Sequence, residues 1–132
     1  MANISITEIL ETGTTSTLAG CNTGGDYFRN SGVEFVRIEN THASQAYNIS
    51  VVAQTTSLDH AGFGVLTKSN AVKQVSAGQT IYLGPFKQRS FDDSDGNVQL
   101  TYLTTGGAAI STISSGVHGL KVEVLYLKQS LY

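Results

Sequence analysis

The chain carries little charge. Asp, Glu, Lys and Arg make up only 14% of its 132 residues, against about 25% in a typical soluble domain. The basic residues stand singly, at Arg29, Arg37, Lys68, Lys73, Lys87, Arg89, Lys121 and Lys128, and the formal net charge is −2. A nucleic-acid binder needs a basic patch to offset phosphates, so this balance argues against one. Cys21 is the only cysteine. That excludes an intramolecular disulfide and a thiolate zinc cluster. Spacing supplies no base to activate the thiol, which leaves a small, semi-buried side chain in a loop. No apolar run approaches the roughly 20 residues that span a bilayer. The start, Met1-Ala2-Asn3-Ile4-Ser5, lacks the charged and apolar regions of a signal peptide, so a location in or assembly from the cytoplasm is expected.

Ser, Thr, Asn, Gln and 14 Gly take the place of the missing charge. Thr suits strands, whereas Gly, Asn and Ser suit turns, so the composition favours β structure over helix. The length fits one domain, with enough chain to bury a core without staples. Period-2 alternation appears in several short runs. Ile4 to Leu10 reads as a short strand, followed by the polar breaker segment 11–17 and a Gly-bearing loop to 25. Residues 1–26 are therefore expected to form an extended N-terminal arm or loosely attached edge, and residues 27–132 the body.

In the body, Val33 to Asn40 places Val36 and Ile38 on one face and Phe35 and Arg37 on the other. Ala46 to Gln54 places Tyr47, Ile49, Val51 and Ala53 together, and with the preceding strand it predicts a hairpin. Thr55 to Asn70 reads as a long connection. Further strands are expected at 71–75, 80–83, 98–103 and 120–127. The sole proline, Pro85, removes a backbone donor where the 80–83 strand ends. Seven or eight short strands with turn signals between them predict an all-β fold, a β-sandwich or jelly-roll-like single domain. No amphipathic helix of useful length is visible.

The densest polar feature is Asp92-Asp93-Ser94-Asp95-Gly96-Asn97. A calcium loop needs alternating oxygen ligands and a downstream carboxylate. This run is one ligand short, and Tyr102, Leu103 and Thr104 stand where the carboxylate would be. A turn between two strands, with Asp capping amides and Gly supplying positive φ, is the better reading. His42, His60 and His118 lie far apart in turn-like segments. No Gly-x-Ser-x-Gly elbow and no phosphate loop occurs, so no enzyme and no cofactor is expected. The six tyrosines are first of all strand packing, with a sugar platform as the alternative.

One stretch supports a family resemblance. Val75-Ser76-Ala77-Gly78 is followed by Gly84-Pro85-Phe86, then by Asp92 to Tyr102 with the order D-x-x-G-x-V-x-x-x-Y, then by the closing strand Leu120-Lys121-Val122-Glu123-Val124. Gly25-Asp26-Tyr27-Phe28-Arg29-Asn30 precedes the first long strand. Over about residues 25–127 this resembles a group of small tailed-bacteriophage virion proteins with β-sandwich bodies, of the head decoration or cement type. The resemblance implies a structural protein on the capsid surface, a partner in the major capsid protein and a homotrimer suited to three-fold lattice sites. It implies contacts through residues 1–26 and the 104–119 loop, with Ile4, Ile6, Ile9, Leu10, Leu18, Ile110 and Ile113 as interface residues. A neck or tail component and a carbohydrate-binding β-sandwich module are the alternatives.

Overall fold

Period-2 alternation becomes two facing sheets. The structure, a computed structural model, describes residues 1–54, 57–60, 62, 64–108, 110 and 119–127. In chain order the elements are β1 (Ala2–Asn3), β2 (Ile6–Ile9), β3 (Ala19–Gly20), β4 (Asp26–Arg29), β5 (Phe35–Asn40), β6 (Tyr47–Val51), β7 (Ser57–His60), β8 (Gly64–Thr67), β9 (Ala71–Val75), β10 (Thr80–Leu83), the single helical turn α1 (Gln88–Phe91), β11 (Asn97–Thr104) and β12 (Leu120–Leu127). One sheet runs β1-β4-β11-β6-β9 and the other β10-β5-β12-β2, with β3 also pairing β12. β7 and β8 form a separate hairpin inside the stretch expected as a plain connection. The domain is an all-β sandwich. No helix among the described residues is long and apolar enough to cross a membrane.

The core lies between the sheets and takes every second residue. β5 contributes Val36 and Ile38, β6 Tyr47, Ile49 and Val51, β11 Val98, Leu100 and Tyr102, and β12 Leu120, Val122 and Val124, all buried. Each fully buried aliphatic side chain is worth roughly 1.5–3 kcal/mol of transfer free energy. Phe28, Phe86 and Phe91 close one end, with ring centroids 6.1 Å apart for the first pair and 5.6 Å for the second.

The expected β5–β6 hairpin is not formed. β5 pairs with β10 and β12, whereas β6 pairs with β9 and β11, so consecutive strands sit in opposite sheets. Alternation marks an apolar face but does not say whether the next strand lies beside it or across the core. Asn40 organises the crossing. Its fully buried side chain donates to the Gln45 carbonyl at 2.7 Å and the Val75 carbonyl at 3.3 Å, and accepts from the His42 amide at 3.0 Å. The 76–79 turn crosses in the same way, from β9 to β10.

Residues 1–26 are extended and lie along the sheet margins. β1 joins β4 in parallel, and β2 joins β12 in parallel. Tyr126 donates its hydroxyl to Glu8 at 3.1 Å across the β2–β12 contact. Residues 10–17 are exposed and double back over the outer face of the β12 sheet.

Candidate functional site

Asp93 builds the acidic turn. Its Oδ1 accepts the amides of Asp95 at 2.9 Å and Asn97 at 3.0 Å, and its Oδ2 accepts from the Gln99 side chain at 3.0 Å. Asp92 accepts from the Asn30 side chain at 2.6 Å. The Asp95 carbonyl accepts from Arg29 at 2.9 Å. Among the described residues no group of three or more His, Cys, Asp and Glu side chains gathers to hold a metal. The turn connects α1 to β11 rather than two strands, because Gln88 to Phe91 close a helical turn that buries Phe91.

These bonds have a pH consequence. The Asn97 amide, with Gln99 and neighbouring amides, holds the Asp93 carboxyl below its ordinary value of 3.8. For Glu34, burial acts to raise the value, but the Ser31 hydroxyl and amide, aided by nearby amides, outweigh it and hold the carboxyl below 4.5. Both folded-state values are depressed. Their stabilisation is therefore complete above the unfolded values and is lost as pH falls through the folded ones. We expect urea midpoints to drop as pH falls below 4.5 and 3.8, and the D93N/E34Q double variant to show a visibly shallower drop. An unchanged acid profile in that variant would refute the assignment.

A second polar centre lies inside the body. Tyr102 donates to Asp26 at 2.6 Å, and the Asn22 amide donates to the same oxygen at 3.1 Å. Asp26 and Tyr102 are 3% and 2% exposed. Burial pushes the neighbouring Cys21 thiol up to about 12, a Tyr102 hydrogen bond opposes it, and the Asp26 charge adds to it. The thiol therefore stays protonated, a poor nucleophile. Burial also raises the Tyr102 hydroxyl well above its usual range. This centre ties the 20–26 loop to β11, and its three groups are occupied with one another.

The third centre is on the outer face of the β10-β5-β12-β2 sheet. Alternation along β12 points Glu123 away from the core, yet it is only 2% exposed. The 10–17 segment covers it. Glu123 accepts from the Ser16 hydroxyl at 2.7 Å, from the Thr17 amide at 2.8 Å and from Arg37 at 3.4 Å. Arg37 also donates to Ser16 at 2.8 Å. Beside this group Tyr82 is 63% exposed, its ring 6.4 Å from that of Phe35 and inclined at 48°. Nothing local in the sequence flags Glu123, whose cover comes from residues more than 100 positions away.

The expected contact residues fall into different environments. Ile4 and Ile6 are partly buried against the core, and Ile110 is 5% exposed within it. These three side chains are engaged by the body. Ile9 lines a shallow depression on the outer face of the β10-β5-β12-β2 sheet, Leu18 is half-buried, and Leu10 is 47% exposed. Ile113 lies outside the described residues, as do His118 and the side chain of His60. His42 accepts the amides of Ser44 and Gln45 on Nδ1, at 3.1 and 3.0 Å, as a turn residue does.

One open surface is a strand edge. Among the described residues β9 pairs only with β6, and four of its five residues are exposed, including Val72 at 55%. The Val52 amide bonds to β11, so even-numbered residues of β6 face β11 and odd-numbered ones face β9. By the antiparallel pattern, Ala71, Lys73 and Val75 then bond to β6, while the backbones of Val72 and Gln74 point outward. No family model, curated protein or solved structure matches the chain.

Proposed function

We propose that the chain is a non-enzymatic structural protein of a tailed-phage particle, a cement or decoration protein that binds the major capsid protein on the capsid surface as a homotrimer. The observation that carries this reading is the β9 edge, unpaired among the described residues, on a β-sandwich body. An exposed strand edge is a template for pairing with another chain. Repetition on a lattice multiplies modest contacts into firm attachment. The resemblance over residues 25–127 supplies the choice of partner.

Residues 2–17 are a poor target for testing this, since their removal would strip β1, β2 and the cover over Glu123 from the body. Val72→Pro is a cleaner probe. Proline there removes an outward amide and no ladder bond to β6. The variant is expected to keep its unfolding midpoint while its occupancy on expanded heads falls by about tenfold or more, the effect of losing about 1.4 kcal/mol per contact. Full occupancy by a folded Val72→Pro protein would remove the β9 edge from the interface. An isolated assembly of six or twelve copies would favour a neck or tail position.

A further inference from the structure

The outer face of the β10-β5-β12-β2 sheet holds a depression of about 240 Å³, lined by the apolar side chains of Ile9, Phe35, Tyr82 and Leu125 and by the polar ones of Ser16 and Arg37. We propose that it is a saccharide-binding site that takes one pyranose ring. It lies on a different surface from the β9 edge, so the proposal does not rest on the capsid reading.

Three features select the ligand class. The first is the aromatic pair. Among the described residues Tyr82 is the most exposed of the large apolar side chains, and its ring lies beside that of Phe35. A pyranose presents an apolar C–H face that stacks on such a ring. The second is the state of Arg37. Among the described residues only Nη1 is engaged, by Ser16 and Glu123, and the buried Nε has no partner. The Arg37 side chain is 26% exposed, and this exposed part, with the adjoining hydroxyls, can exchange water for the hydroxyl rim of a sugar. An aliphatic peptide side chain seated there would instead dehydrate these groups without replacing their hydrogen bonds. The third is charge. The Glu123 carboxylate sits 3.4 Å from Arg37 and offsets its charge, which disfavours a phosphate or carboxylate ligand. A neutral, polyhydroxylated ring with one apolar face meets all three conditions.

The volume sets the size of the ligand. It falls below the range of about 300–1,000 Å³ usual for drug-sized ligands, so it suits one ring with further sugars outside. A shallow site of that kind is expected to bind with Kd about 1 mM.

The test uses the full ¹⁵N-labelled chain, titrated separately with the methyl glycosides of glucose, galactose, mannose and N-acetylglucosamine. At least one is expected to produce saturable amide shifts centred on Ser16, Phe35, Arg37 and Tyr82. Tyr82→Ala is expected to weaken binding by about tenfold, the scale of one aromatic contact, while Tyr82→Phe stays close to wild type. Because Tyr82 is largely exposed, its unfolding midpoint serves as the control for an intact fold. The proposal is overturned if no glycoside gives saturable shifts up to about fifty times that Kd. It is equally overturned if the shifts map elsewhere, or if a folded Tyr82→Ala protein binds as tightly as wild type.

Discussion

Glu123→Ala is expected to destabilise the domain by about 3 kcal/mol and to release the 10–17 strap. The side chain is 2% exposed and accepts from Ser16, Thr17 and Arg37. Hydrogen bonds to a charged acceptor are worth about 1.5–3 kcal/mol each, but neighbours sharing one carboxylate do not add. Arg37 keeps some access to water, its side chain being 26% exposed, which limits the cost of stranding it. Among the described residues the strap has no other deep anchor. Its remaining bonds are made between exposed groups, such as Thr7 to Thr17 at 3.2 Å and Leu10 to Thr14 at 2.8 Å. Urea unfolding measures the first effect, and hydrogen exchange or limited proteolysis at residues 11–17 measures the second. Glu123→Gln keeps the shape and one acceptor oxygen, so it should fall between alanine and wild type. A Glu123→Ala protein with an unaltered midpoint and a protected strap would show that the carboxylate does not hold the segment down.

Gly25→Ala is expected to cost about 3 kcal/mol, seen as a thermal midpoint lower by roughly 10 °C. Gly25 has φ +89°, a left-handed conformation that L side chains avoid. A Cβ there would also stand 2.5 Å from the Leu100 carbonyl oxygen. That oxygen belongs to β11, on the strand pair that Asp26 and Leu100 share, so it cannot move aside without breaking the ladder. Both terms act in the folded state, and neither is relieved by a rotamer change. A Gly25→Ala protein melting within a degree or two of wild type would mean that the 22–26 turn can be rebuilt.

The same glycine explains what kind of information the resemblance holds. Its motif glycines, Gly25, Gly78, Gly84 and Gly96, all have positive φ. Its polar motif residues bond to one another: Asp26 with Tyr102, Asn30 with Asp92, and Arg29 with the Asp95 carbonyl. The pattern is thus a set of turns and clasps holding β4 to β11 and to the 86–92 segment. Motifs of this kind specify a backbone more directly than an activity. The two contacts proposed above use exposed surfaces instead, the β9 edge and the Tyr82 face.

Alternation by itself determined the class of fold and the greater part of the core. β2, β5, β6, β9, β10 and β12 fall within stretches read as strands, β11 extends one residue beyond its stretch at each end, and Val36, Ile49, Val98 and Val122 are buried as alternation requires. The Asp-Gly turn was equally legible, because its capping is local to a few residues. Only the tertiary structure decided which strands are neighbours. An apolar face is satisfied as well across a sandwich as beside a partner, so β5 and β6 could be placed in opposite sheets only by the long-range pairs. Only the tertiary structure buried Glu123, an outward residue on β12 that residues 16 and 17 cover. The physical reason is the same in both cases. Period and turn chemistry depend on near neighbours, while burial of an outward face depends on what the rest of the chain lays over it.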